Sequence, residues 1–422
     1  MTIQEIGAVF PFTPLTIADQ GTYTVIGAFR FNSGTTNVTF SAEGNLVLRT
    51  SPVFGAAAGR IAFVNYTNAT VVFDAQTNAL TYAHTITNTV DGSGIFEFRT
   101  NTSNDITTSN NIIDTGRGLN KAIFKNTGNV NIQKNFIAKT LEFETDATAT
   151  FGANVQTITA SSGIKNTSLT IKGGNLYTNS LDLSTATGNF IFDLDNNNRT
   201  FDVTALSFNG ANKFTITNGG GNTLTFTKTS TFSNISEFHI DANTIAKFNA
   251  NSTFSTDVGG AGTAHITNGA TFNSTIGNGT KLGKLTISGG SAANTVLFTG
   301  ISKMVDLDAS TSKHTLRFPV GADLTVDNAV NFGNSTLVFE IDATLPAAPV
   351  IGTINLGGAA TFGTSAAIVL ECATVLPINN ALELVVGTAP VVDSLPDTVT
   401  VTGSKQILER DDNDPNKLVY TS

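Results

Sequence analysis

The 422-residue chain carries 13% charged residues, a formal charge of -9 and a pI near 4.9. That balance leaves no basic footprint for nucleic acid and no Lys/Arg-rich helical face for anionic lipid. One cysteine, Cys372, excludes an internal disulfide and any cysteine metal cluster. Between Glu371 and Ala373, after the apolar run Ala367 to Leu370, it reads as a small buried hydrophobe.

Residues 1–30 read as an entry or capping segment. Ile3, Ile6, Val9 and Phe10 precede Pro11 and Pro14, and strand-like alternation begins at Tyr23. Such a segment would cover the apolar side chains and unpaired backbone at a repeat end. Met1 to Leu15 does not read as a signal peptide, because it carries Glu5, two prolines and no basic n-region. No apolar stretch is long enough for a transmembrane helix, so no direct membrane insertion is expected.

From Asn37 onward the chain settles into short apolar–polar–apolar beats separated by Gly, Asn, Ser and Thr. Val38-Thr39-Phe40, Leu46-Val47-Leu48, Thr70-Val71-Val72-Phe73 and Ile95-Phe96-Glu97-Phe98 are early strands. Asn101 to Asn120 is the most polar piece and reads as a broad turn or protruding loop. The beat resumes through Leu141-Glu142-Phe143, Leu169-Thr170-Ile171, Phe190 to Leu194 and Phe201-Asp202-Val203. It runs through Ser207 to Phe254 and continues to Leu337-Val338-Phe339.

Ser230-Thr231-Phe232, Ser252-Thr253-Phe254, Ala270-Thr271-Phe272 and Ala360-Thr361-Phe362 echo one another. The first three stand 22 and 18 residues apart, and an average of about 20 residues fits a coil of three short strands and three turns. Thirty phenylalanines need burial, and in stacked coils each inward ring gains roughly 25 cal/mol per Å² of apolar area. No amphipathic helix of ordinary length is found. The expected fold is all-β, a right-handed parallel β-helix or solenoid over 31–340, with β-sandwich domains as the alternative. After Glu340 the composition shifts to Pro, Val, Leu and Ala, so 341–422 is expected to form a C-terminal cap or a distinct β-rich unit.

No Gly-x-Ser-x-Gly elbow, Walker loop, dinucleotide fingerprint or His-Glu-x-x-His motif is present. The four histidines are His84, His239, His265 and His314. The period of two in a strand puts Glu237, His239 and Asp241 on one face, with Phe238 and Ile240 inward. Such a trio can hold a metal or exchange protons, and it also fits an ordinary wet outer face. Asp193 and Asp195 are expected to share a strand face, as are Asp306 and Asp308. Asp193, Asp195 and Asp202 are the nearest carboxylates for a polysaccharide hydrolase or lyase. No cofactor is predicted. Calcium is the cation that the Asp411 to Asp414 run would attract, although that run lacks EF-hand spacing. Asn-x-Ser/Thr triplets such as Asn37-Val38-Thr39 and Asn251-Ser252-Thr253 are acceptors only in a secretory setting.

The phrases Asn218-Gly219-Gly220-Gly221-Asn222-Thr223-Leu224-Thr225-Phe226 and Gly269-Ala270-Thr271-Phe272-Asn273 give the region from Asn37 to Phe362 a texture. It resembles bacterial autotransporter passengers, and more narrowly the large rickettsial surface-antigen family. That resemblance implies a parallel β-helix displayed outside the outer membrane and used in adhesion or as a surface layer. Export signal and translocator barrel are the parts of that pattern not seen here. The function expected is an extracellular or cell-surface structural or adhesin module, binding host surface protein or glycan or associating with itself. The alternatives are a β-helical polysaccharide lyase or hydrolase, and a self-assembling surface-layer or fibre component.

Overall fold

Most named strands are short, because two or three inward side chains are enough to cross the interior before the chain must turn; Asn175–Leu183 and Arg199–Phe208 are longer. The computed structural model describes residues 2–3, 14–31, 38–54, 60–90, 92–110, 117–126, 129–133, 136, 138–143, 148–151, 158–159, 169–172, 175–184, 189–289, 294–311, 313–342, 350–372, 381–387, 399–401, 408–411 and 414–421. Among them there are strands and turns and no helix. The chain divides into two units, Met1–Asn218 and Gly219–Ser422.

Among the described residues the first unit holds three main parallel ladders and one short parallel pair, Arg30–Phe31 with Val53–Phe54. One stacks Thr22–Val25, Asn45–Leu48, Thr70–Asp74, Ile95–Thr100, Leu119–Asn126 and onward to Phe190–Asp193 and Lys213–Thr217. A second runs from Leu80–Tyr82 through Ile106–Thr108 and Asn129–Ile132 to Asn175–Leu183 and Arg199–Phe208. The third stacks Leu15–Ile17, Val38–Phe40, Arg60–Phe63 and Thr85–Asn88. Parallel pairing thus already includes strands within 1–30, while 4–13 lie outside the described residues.

The second unit repeats the plan. Thr223–Phe226, Ile245–Phe248, Thr263–Ile266, Leu282–Ile287 and Ser302–Asp308 form one parallel ladder. Ser230–Phe232, Ser252–Phe254, Ala270–Phe272, Thr295–Phe298, Thr315–Phe318, Thr336–Asp342, Ala367–Cys372 and Val399–Val401 form another. Glu237–Ile240 pairs in parallel with Asp257–Gly259 on a third face. This is the β-solenoid expected from the beats. An antiparallel sandwich cannot produce ladders in which consecutive coils pair in the same direction.

Register makes like stack on like. Phe232, Phe254, Phe272, Phe298, Phe318 and Phe339 form one column, with neighbouring ring centroids 5.0 to 5.7 Å apart. Phe73, Phe98 and Phe124 form another, at 5.6 and 5.1 Å. The spacing is near the distance of roughly 4.8 Å between hydrogen-bonded strands, so the backbone ladder itself brings the rings into stacking range. Asparagine supplies the corners. Asn65, Asn196, Asn218, Asn234 and Asn243 all have φ between 53 and 62°, the left-handed region that Asn tolerates better than other side-chain-bearing residues. At Gly260, φ is 99° and an added Cβ would lie 2.2 Å from the Ile240 carbonyl oxygen, so only glycine fits that corner.

Two expectations change in detail. Asn101 to Asn120 is not one long loop. A tight turn at Asn101–Asn104, tied by Asn101 Oδ1 to the Ser103 and Asn104 amides, leads straight into strand Ile106–Thr108. Residues 111–116 lie outside the described residues. Beyond Glu340 parallel stacking continues, but antiparallel pairs join it: Thr336–Asp342 with Val350–Ile351, and Asp414–Thr421 with both Ala381–Gly387 and Leu408–Asp411. Cys372 ends a strand in register with Ile341. Its side chain, and residues 412–413, lie outside the described residues.

Candidate functional site

Strand Glu237–Ile240 alternates as its sequence requires: Phe238 and Ile240 are fully buried, and Glu237 and His239 face outward, half-buried. Asp241 follows on the same side. His239 Nδ1 lies 2.6 Å from Glu237 Oε1, and His239 Nε2 lies 3.1 Å from Asp241 Oδ1. The trio is therefore real, but each ring nitrogen faces a different carboxylate. An imidazolium donates to both, while a neutral imidazole donates to only one. With a carboxylate at each end of the ring, the three groups do not converge on one point where a cation would sit. Among the described residues, no group of three or more His, Cys, Asp and Glu side chains is placed to hold a metal ion. Next door in register with Glu237 is Asp257, whose carboxylate accepts from Thr275 Oγ1 at 2.9 Å and from the amides of Asn278 and Gly279 at 3.1 Å. Its acceptor sites hold a turn together.

Asp193 and Asp195 do not share a strand face. Asp193 ends its strand, and its carboxylate accepts the Asp195 amide and the Asn218 side-chain amide, both at 2.9 Å. That Asx turn carries the chain into the left-handed region at Asp195 (φ 49°), where the strand alternation no longer applies. Asp202 lies on Arg199–Phe208, between buried Phe201 and Val203, in a different ladder from Asp193. The three are thus distributed over a strand end, a corner and a second sheet. Asp306 and Asp308 do share an outer face, where Asn328 donates to Asp306 at 2.6 Å and Lys284 lies 3.3 Å from Asp308.

Two groupings escape a sequence reading. Arg317 donates through Nε to Glu340 Oε1 at 2.8 Å and through Nη1 to Glu371 Oε1 at 3.3 Å, and Nη2 contacts both carboxylates. Glu340 and Glu371 are register partners, so one guanidinium clamps two stacked carboxylates. Burial works against the charged form, yet the bonds to Glu371 and Glu340 prevail and raise the Arg317 pKa. Arg317 also closes one end of a shallow groove of about 380 Å³, whose floor is the register column Thr253, Thr271, Leu297 and Arg317.

The second grouping joins His265 and Ser288. His265 faces outward from Thr263–Ile266, and Ser288 stands on the turn just past Leu282–Ile287. Parallel pairing sets Thr286 opposite His265, so the imidazole leans diagonally and brings Nε2 within 2.5 Å of Ser288 Oγ. On its other side His265 has Lys247 as register partner. Burial first, then the Lys247 ammonium, pushes the imidazole below its ordinary pKa; Lys284 adds to this and Asp308 opposes it. The only signal for this pair is the register, which varies too much from coil to coil to be read from residue spacing.

Comparison with family models, with curated proteins and with solved structures gives no match. The function must be argued from the geometry alone.

Proposed function

We propose that the chain is an extracellular structural or adhesive module, a β-solenoid that presents its outer faces to host surface protein or glycan, of the kind displayed as an autotransporter passenger. The observation that carries this reading is the division of labour within each coil. In strands such as Lys213–Thr217, Thr223–Phe226, Glu237–Ile240 and Ile245–Phe248 the inward positions are Phe, Leu, Ile and Ala, while the outward positions are mostly Thr and charged or polar residues. Such a body gains stability coil by coil, and its outer residues are free to vary without disturbing the core. The groove beside Arg317 is one place where an extended ligand would lie along the register column.

A polysaccharide lyase or hydrolase would need acidic groups held together with unspent hydrogen-bonding capacity. The carboxylates of Asp193 and Asp257 are occupied by turn donors, and His239 is held between Glu237 and Asp241. That arrangement favours the scaffold reading.

The test is surface proteolysis of intact cells producing the protein with its natural flanking sequence, joined to binding on host-protein and glycan arrays. Cleavage of the module from outside, with saturable binding to at least one ligand class, supports the proposal. Retention inside the cell with no binding overturns it. A glycan-depolymerisation assay with and without calcium tests the enzymatic rival.

A further inference from the structure

We infer that Ser288 is an activated nucleophile with His265 as its general base, giving this outer face an esterase or acyl-transfer activity toward short O-acyl esters. The distance of 2.5 Å between Ser288 Oγ and His265 Nε2 is the contact that proton transfer requires. It is independent of the scaffold role, since both groups are outside the core and neither contributes to a Phe column.

Three features make the pair more than a surface hydrogen bond. First, a base must be unprotonated to work. Burial and the neighbouring Lys247 lower the pKa of His265 and so favour the neutral ring, and in the tautomer that carries its proton on Nδ1 the serine hydroxyl donates and Nε2 accepts. Second, the pair is accessible. His265, Ser288 and the flanking Thr286 are all half-exposed on an outer face, so an acyl group can approach Oγ. Third, Lys247 on the register-partner strand places positive charge beside the imidazole, while the charge of Lys284 is offset by Asp308 at 3.3 Å. A positive field favours the oxyanion that forms when a carbonyl is attacked.

The neighbourhood also sets the substrate. The outward residues around the pair are Thr263, Thr267, Thr286, Lys247, Lys284 and Asp308, which form no apolar trough for a long acyl chain. An open sheet face equally admits an ester carried on a large polymer. Acetyl-sized groups are therefore the expected class. In the reaction Ser288 Oγ bonds to the ester carbonyl carbon and its proton passes to His265 Nε2. The bond from that carbon to the alcohol oxygen breaks, and the departing alkoxide takes the proton from Nε2. Water then attacks the acyl-serine, gives a proton to His265, and releases the carboxylic acid as Ser288 recovers its proton.

The experiment is labelling of the intact chain with a fluorophosphonate probe, with the modified residue located by mass spectrometry, alongside hydrolysis of 4-nitrophenyl acetate. Ser288 is expected to be the labelled serine. His265→Gln is expected to lower the labelling rate by about 100-fold or more, the contribution of a general base, with an unchanged thermal melt. Ser288→Ala removes the label altogether, while Lys303→Ala, on another part of the unit, leaves it unchanged. No label on Ser288, or a label equally fast in His265→Gln, overturns the inference. Should His265→Gln not fold, the wild-type pH profile decides. A labelling rate that falls on acidification below the ordinary imidazole range supports the dyad, and a rate that stays flat over the whole acid range in which the chain remains folded refutes it.

Discussion

Replacing Phe254 by alanine is the most informative single change. Phe254 is fully buried and stacks on Phe232 at 5.2 Å and Phe272 at 5.0 Å, with the edges of Phe248 and Phe238 at 5.1 and 5.6 Å. Truncating a core Phe costs about 3–5 kcal/mol in transfer and cavity terms. Four aromatic partners, each worth about 0.5–1.5 kcal/mol beyond area, put this site at the upper end of that range. Thr253, the adjacent residue, faces outward, and Thr253→Ala should change stability by no more than about 0.5 kcal/mol. Hydrogen exchange read by mass spectrometry separates the two. Because each coil packs on its neighbours, amides in the strands at 230–232, 252–254 and 270–272 should exchange about a thousandfold faster in Phe254→Ala, at about 1.4 kcal/mol per tenfold. Distant strands of the same ladder should change little. Equal costs for Thr253→Ala and Phe254→Ala would refute the assignment of inward and outward faces.

Gly260→Ala should destabilise by about 1–3 kcal/mol, since the new Cβ meets the Ile240 carbonyl oxygen at a left-handed φ; chemical denaturation measures it. Arg317→Ala leaves Glu340 and Glu371 stacked in register without their cation, costing about 1 kcal/mol at low salt and less at high salt, so melts at two ionic strengths should converge. Burial pushes the pKa of His314 below its ordinary value, with the Ile287 carbonyl partly offsetting it. As pH falls below about 6.5 the unfolded chain binds the proton first, so stability declines by up to about 1.4 kcal/mol per pH unit for this site until the folded-state pKa is passed. His314→Phe should remove that part of the acid sensitivity, as read from melts between pH 8 and pH 5.

Alternation was enough to separate Phe238 and Ile240 from Glu237 and His239, because a strand has only two faces. The same rule failed at Asp195, where an Asx turn had already ended the strand. It also hid Ile106–Thr108, since one of its inward residues is Thr108, a fully buried polar side chain that reads as loop. The Arg317 clamp and the His265–Ser288 contact lie between coils. Their formation depends on register, and coil length varies. From Ser252–Phe254 to Ala270–Phe272 and on to Thr295–Phe298 the step is not constant, so no fixed period could have paired them.

The central claim is parallel, in-register stacking of coils, and paired-cysteine trapping in a Cys372→Ser background tests it most directly. Thr253 and Thr271 are register partners, and the Asn273 amide donates to the Phe254 carbonyl at 2.8 Å, so the next outward pair along is Ser255 with Asn273. Neighbouring strands roughly 5 Å apart lie within disulfide reach. The account predicts rapid oxidation of the 253/271 and 255/273 cysteine pairs and little for 251/273. Cross-linking of 251/273 in preference to 255/273 would mean that these strands run antiparallel, and would contradict it.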